Sequence, residues 1–342
     1  MNNIQWLDIP IDERIEILTT LGKETKLPPQ LIEKDWWVTM VLRVLFVSSF
    51  ADNIAFKGGT SLSKCWKVIE RFSEDVYIAI DREFLGFGGE LSKTQISDRL
   101  RRKSCAFVRE EMTKEIAGQL TKLGIDKSHF SVEVNITSVT TTDPETIRIV
   151  YQSVLPELKY IQSSVLIEVG ARSMIEPTEK VMVQSIIAEK LPSAEFIDQR
   201  FTLRVVTPKR TFLEKAFLLH EEFAKPSDDI RIERMSRHLY DLERLMDTSF
   251  AKDAMEDTEL YNAIVEHRRK FIGLKGFEYD TLYPQTISFV PPDNVIDSWR
   301  ADYETMCTTM IHGVFLSYDD LINRVKELNL RFRSINLSSK NA

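Results

Sequence analysis

The hydrophobic period of this 342-residue chain changes once, near Val206 to Pro208. Before that point, segments alternating apolar and polar residues are mixed with helical patterns. After it, apolar residues recur at helical spacing only. "PKRTFLEKAFLLHEEFA", "RIERMSRHLYDLERLMDT", "DAMEDTELYNAIVEHRRKF" and two final segments carry such stripes, and "LYPQTISFVPPD" (282–293) separates the last pair. A period of two builds sheets and a period of 3.6 builds helices. The chain therefore divides into a mixed part, residues 1–207, and a C-terminal helical bundle, residues 208–342, and the fold class is α+β.

Within the first part, "DERIEILTTLG" (12–22) reads as a helix with Gly22 as its stop, and "PPQLIEKDWWVTMVLRVLF" (28–46) as a second helix with proline at its start. Short strands are expected at 53–56 ("NIAF") and 75–80 ("DVYIAI"), with "SLSKCWKVIE" (61–70) helical between them. One long helix is expected from Leu91 to Gly124. Three strands follow at 129–138, 146–155 and 163–172, each rich in β-branched residues.

Composition closes off several classes of function. Apolar and charged residues make up 43% and 28% of the chain, the ordinary globular range, so disorder is not indicated. The longest apolar run, "WWVTMVLRVLFV" (36–47), is broken by Arg43 and falls short of the ~18 residues a membrane span needs. The amino terminus lacks the layout of a secretory signal. Cys65, Cys105 and Cys307 are too far apart for a metal-ligand motif, which points to reduced thiols in a cytoplasm. The net charge of −7 argues against a protein that coats DNA but leaves room for local basic patches. Candidates are Arg99–Lys103, Thr207–Arg210 and His267–Lys270, each of which also reads as a solvated helix face.

The stretch "FKGGTSLSKCWKVIERFSEDVYIAID" (56–81) carries the strongest chemical signal. Glycines in a strand-to-helix turn let the backbone approach a phosphate, and a helix start offers unpaired N–H groups. Thr60 and Ser61 would add hydroxyl donors, although a plain capped turn has the same sequence. On the next strand, alternation puts Asp75, Tyr77, Ala79 and Asp81 on one face and Val76, Ile78 and Ile80 on the other. A carboxylate at Asp75 could hold Mg²⁺ against a triphosphate.

The Gly-Gly-Thr-Ser-Leu turn, a helix and "RFSED" resemble the nucleotidyltransferase domain of the AbiEii/AbiGii toxin family, of the DNA polymerase β-type superfamily. "LIEKDWWVT", "VLIEVGARS", "FLEKAFLLHEE", "RHLYDL" and "DYETMCTTMIHG" extend the likeness over most of the chain. The resemblance implies a nucleotidyltransferase-type mixed sheet with flanking helices. It implies that Gly58, Gly59, Thr60 and Ser61 cradle the phosphates of an NTP, with Lys57 and Ser73 as further nucleotide-binding candidates. Asp75 would be the first metal-binding carboxylate and Glu168 the third, although Glu168 could simply pair with Arg172. Lys215 would stabilise phosphate charge, and Asp241 would position Lys215 or the acceptor; spacing alone also allows Asp241 to pair with Arg237 and Arg244.

The function so implied is that of a Mg²⁺-dependent toxin of a toxin–antitoxin or phage-defence system. It would transfer a nucleoside monophosphate from an NTP to an RNA acceptor such as tRNA, and be countered by a cognate antitoxin, often a winged-helix repressor. One position departs from the family. The second carboxylate of Asp-x-Asp is replaced by Tyr77, and a phenol with a pKa of about 10 is a poor Mg²⁺ ligand. Asp81 lies about 20 Å further along an extended strand and cannot take its place. A weakened enzyme and a catalytically degenerate fold acting by nucleotide or protein binding are both open, as is, more remotely, a small-molecule nucleotidyltransferase.

Overall fold

The computed structural model describes residues 5–73, 75–136, 145–158 and 161–336. Glu74 of "RFSED" and the last two residues of the expected 129–138 strand lie outside them. The chain forms two compact units, residues 1–65 with 72–206, and residues 66–71 with 207–342.

The N-terminal unit opens with α1 (Ile11–Thr25) and α2 (Pro29–Phe46). Gly22 does not stop α1, which runs on until Lys26 turns left-handed at φ 60°. Gly22 serves close packing instead, since a Cβ there would stand 3.0 Å from the Pro29 ring that starts α2. Next come β1 (Ile54–Lys57), α3 (Gly59–Lys64) and β2 (Asp75–Ile80). The helix expected over 61–70 is only six residues long, and residues 66–71 belong to the other unit. The expected helix 91–124 is continuous from Lys93 to Lys122, but two π-helical stretches, Gln95–Leu100 and Val108–Met112, flank α4 (Arg101–Phe107) and precede α5 (Thr113–Lys122).

Five further strands complete the sheet: β3 (Phe130–Asn135), β4 (Thr146–Tyr151), β5 (Ser164–Gly170), β6 (Thr178–Val183) and β7 (Phe201–Val206), with α6 (Ile186–Lys190) between the last two. The seven strands lie in the order β3-β4-β5-β2-β1-β7-β6. β2 is parallel to β5 and β1 to β7, and the other neighbours are antiparallel, so the sheet is mixed. Strands β6 and β7 were not anticipated, although Phe201, Leu203 and Val205 alternate with polar residues and Leu203 and Val205 are fully buried.

Register gives the sheet two unlike faces. Phe56, Val76, Ile78, Val165, Ile167, Ile147 and Ile149 are all at most 1% exposed and form the core face. α2, of which 13 residues are buried, packs against β5, β7 and α5. The other face carries Lys57, Asp75, Tyr77, Glu168, Thr146 and Arg148, all partly exposed. Burial of apolar area drives the first face inward, which leaves the polar face for chemistry.

The C-terminal unit is helical: α7 (Pro208–Phe223), α8 (Arg237–Leu245), α9 (Ser249–Glu256), α10 (Thr258–His267), α11 (Ile296–Thr309) and α12 (Tyr318–Arg333). The stripe over 253–271 is split at Asp257, whose carboxylate caps α10 by accepting from Leu260 N at 2.9 Å. The stripe over 231–248 becomes helical only at Arg237, because Asp302 accepts from Arg234 N (2.7 Å) and Ser236 N (2.9 Å). Among the described residues no helix is long and apolar enough to cross a membrane.

Candidate active site

In the N-terminal unit the glycine turn follows β1 directly. Gly58 has φ 88° and ψ −162°, a region open in practice to glycine alone. A Cβ there would also stand 3.1 Å from the Tyr77 ring, so the ring lies against the turn. The hydroxyls after it turn inward. Thr60 and Ser61 are 3% and 0% exposed. Thr60 Oγ1 donates to the Asp75 carbonyl and lies 2.9 Å from Ser73 Oγ, while Ser61 Oγ donates to the Gly58 carbonyl at 2.8 Å. Both side chains thus fix the turn to itself and to the start of β2, and the turn's outward polar groups are backbone ones.

Pairing in the sheet brings the remaining candidates of this unit together. Asp75 stands opposite Leu166, and Tyr77 opposite Glu168, on the parallel strands β2 and β5. Lys57 stands opposite Tyr77 on the other side, and Thr146 opposite Glu168. Lys57, Tyr77, Glu168 and Thr146 therefore form one row across four strands, with Asp75 two residues earlier on the same face. Lys57 Nζ lies 3.4 Å from Ser173 Oγ, in the segment after β5.

Among the described residues, Asp75 and Glu168 are the carboxylates that β2 and β5 bring next to each other on this face. Among the described residues no group of three or more His, Cys, Asp or Glu side chains is arranged to hold one. Mg²⁺ commonly takes one or two carboxylates and completes its octahedron with phosphate and water. The pair fits one such ion bound with a nucleotide, and does not fit two ions bridged by a shared second carboxylate.

Lys215 and Asp241 sit together in the C-terminal unit. Lys215 Nζ, on α7, is 2.7 Å from Asp241 Oδ2, on α8. Arg71 grips the same carboxylate with two bonds of 2.7 and 2.8 Å. His238 Nδ1 lies 3.2 Å from Lys215 Nζ. Burial opposes the charge on Asp241, but Arg71 and then Lys215 outweigh it and hold its pKa well below the usual carboxylate range. Burial lowers the pKa of Lys215, against the pull of Asp241. Burial, then the Lys215 charge, keeps His238 well below an ordinary histidine, so its neutral ring accepts from Lys215.

Asp241 thus pairs across the unit with Arg71 and Lys215, and Arg244 reaches Glu70 instead, at 3.5 Å. Sequence reading missed Arg71 and His238. His238 lies inside "RHLYDL", but nothing local marks Arg71, whose partner is 170 residues away. Arg71 is held in place by an antiparallel bridge to Ile311, next to which His312 N donates to Glu70 O at 2.9 Å. The closing "TMIHG" therefore serves to anchor the segment that carries Arg71.

No curated protein matches the chain. Two solved structures overlap with it loosely. JHP933 from Helicobacter pylori is 11% identical, with 90% of this chain and 93% of that one covered at a TM-score of 0.43. A protein from H. pylori assigned as a nucleotidyltransferase is 12% identical, with 92% and 100% covered at a TM-score of 0.41. Overlaps of that quality say nothing of activity. The sequence itself is decisive: residues 41–324 match the family model of the nucleotidyl transferase AbiEii toxin of type IV toxin–antitoxin systems, and the chain belongs to that family.

Proposed function

We propose that this protein is a nucleotidyltransferase toxin that moves a nucleoside monophosphate from an NTP onto the 3′ end of an RNA, with tRNA as the acceptor and a winged-helix repressor as its antitoxin, in a system that defends against phage. The observation that carries the reading is the placement of Asp75 and Glu168 on the open face of adjacent strands, beside a turn whose first residue must be glycine. The acceptor hydroxyl attacks the α-phosphorus and gives its proton to solvent, a new P–O bond forms, and the bond to the β-phosphate breaks as pyrophosphate leaves.

The backbone of Gly58 and Gly59 holds the phosphates, and the Thr60 and Ser61 hydroxyls keep the turn rigid from behind. Asp75 and Glu168 would hold Mg²⁺, which when bound neutralises phosphate charge and polarises the reacting oxygens. In the C-terminal unit, Asp241 fixes the ammonium of Lys215, the residue that the family resemblance assigns to phosphate charge. Two of the three Lys215 N–H groups are directed to Asp241 and His238.

A second reading is favoured by one contact, the Tyr77 ring against Gly58. In that reading the fold has given up transfer and acts by holding nucleotide or a protein partner. One assay separates the two. Total RNA, Mg²⁺ and labelled NTPs are incubated with the native chain, Tyr77→Asp and Asp75→Ala. Transfer predicts labelled RNA with the native chain, more label with Tyr77→Asp by roughly 10²-fold, and none with Asp75→Ala. Toxicity in cells that survives Asp75→Ala, without labelled RNA from any variant, would sink the transferase reading.

A further inference from the structure

We propose that Lys57 supplies the positive charge that a second metal ion would otherwise bring, so that this site works with a single divalent cation. The proposal rests on the nucleotidyltransferase reading and adds a residue role and a metal count to it.

Tyr77 is flanked in register by Lys57 on one side and Glu168 on the other. Directly opposed residues stand with Cβ atoms about 4.5–5.5 Å apart, so Lys57 and Glu168 face each other across the phenol at about 10 Å, two strand spacings. A group bound over the Tyr77 ring lies within reach of both side chains. A phenol is a poorer ligand for a hard cation such as Mg²⁺ than the carboxylate it replaces. Further up the face, the residues after Tyr77 and Glu168 are Ala79 and Gly170, which offer no side-chain donor. Among the described residues of the paired strands β2 to β3, the next carboxylate on this face is Glu133 on β3, three strand spacings or about 14 Å from Asp75 and opposite Arg148. Among the described residues of these strands, a second cation would share the same two carboxylates as the first.

The charge problem remains without that cation. A nucleoside triphosphate carrying one divalent ion keeps about two negative charges, and more accumulates on the leaving pyrophosphate. Lys57 is placed to meet them. It is the last residue of β1 and the only partly exposed one, the three before it being 0% exposed. The glycine turn begins at the next residue, so backbone N–H groups and the ammonium act on the same phosphates. A lysine is well suited to this as a mobile point charge.

The test counts ions. Mn²⁺ bound to the native chain is titrated by electron paramagnetic resonance with each of the four α,β-methylene nucleoside triphosphates in turn. One Mn²⁺ per bound nucleotide is expected, rising to two in Tyr77→Asp. Lys57→Met should keep the count at one and weaken nucleotide binding about tenfold, and Lys57→Arg should recover most of that loss. Two Mn²⁺ on the native chain, or unchanged affinity in Lys57→Met, would overturn the proposal and leave the nucleotidyltransferase reading standing. Failure of all four nucleotides to bind the native chain would overturn both. Should Tyr77→Asp not fold, the native count and the Lys57 pair decide alone.

Discussion

The ring of Tyr77 lies against Gly58, so close that a methyl group on the glycine would stand 3.1 Å from it. The contact joins the position where the chain departs from its family to the turn that is most characteristic of it. Gly58→Ala meets two obstacles, the φ of 88° and the ring. The backbone strain alone is worth about 1–3 kcal/mol. Urea unfolding of Gly58→Ala should show a loss in that range. The double variant Gly58→Ala/Tyr77→Ala should recover none of the backbone part, because only the ring contact is relieved. A loss under about 0.5 kcal/mol would mean the turn relaxes to another conformation.

"LIEKDWW" owes its place near the site to three charged residues on α2. Glu33 accepts from Val154 N at 2.9 Å, Lys34 donates to Gln162 O at 3.1 Å, and Asp35 pairs with Lys64 at 2.7 Å. Asp35 also accepts from Ile186 N at 2.7 Å. Lys64 is the last residue of α3, so Asp35 tethers the short helix behind the glycine turn. Asp35→Asn leaves the Lys64 ammonium buried without its counter-charge, at a cost of about 3–5 kcal/mol. Hydrogen exchange should quicken in residues 59–65 more than in the β2–β5 pair. Equal quickening throughout would show that Asp35 supports the whole unit rather than this helix.

The parts of the fold that were legible share a property, which is that their cause is local. β2 begins at Asp75 and ends at Ile80 as the alternation of "DVYIAI" requires, and α2 starts at Pro29 where a proline is tolerated. Glu168 could be matched by its strand context, and register then brought it beside Tyr77. What could not be read depended on distant partners. The apolar pattern of "SLSKCWKVIE" continues past Lys64, but the helix ends there, and residues 66–71 fold with the C-terminal unit. Arg71 looked like one basic residue among 45 Lys and Arg, and only the fold shows it holding Asp241. The hydroxyls of Thr60 and Ser61 were expected to face a phosphate, and they face the backbone instead.

Asp241→Asn removes the charge between two buried cations. Because the folded pKa of Asp241 is depressed, its stabilisation is present above the unfolded value of about 3.9 and is lost as pH falls below it toward the folded value. At pH 7 the variant should be destabilised by about 3–5 kcal/mol, since Arg71 and Lys215 lose their partner. The gap between native and variant should narrow as pH is lowered from about 4 to 3. Urea midpoints at pH 7, 5 and 3.5 measure this. A gap that stays constant across that range would show that Asp241 is held by shape rather than by charge.

His238 predicts the opposite part of the pH range. Burial and the neighbouring Lys215 and Arg237 charges keep it from taking a proton in the folded state, with Asp241 alone pulling the other way. The unfolded chain takes that proton near pH 6.5. As pH falls through that value the unfolded state binds protons that the folded state refuses, so stability declines on the acid side. Between pH 7 and 5 the decline from this one residue should be up to about 2 kcal/mol. His220 and His312 are also depressed by burial, so the informative quantity is the difference between the native chain and His238→Asn. The native chain should lose more stability than the variant over that interval, and RNA labelling by the native chain should fall with it. Parallel stability curves would mean that His238 is protonated in the folded protein and cannot accept the hydrogen bond from Lys215.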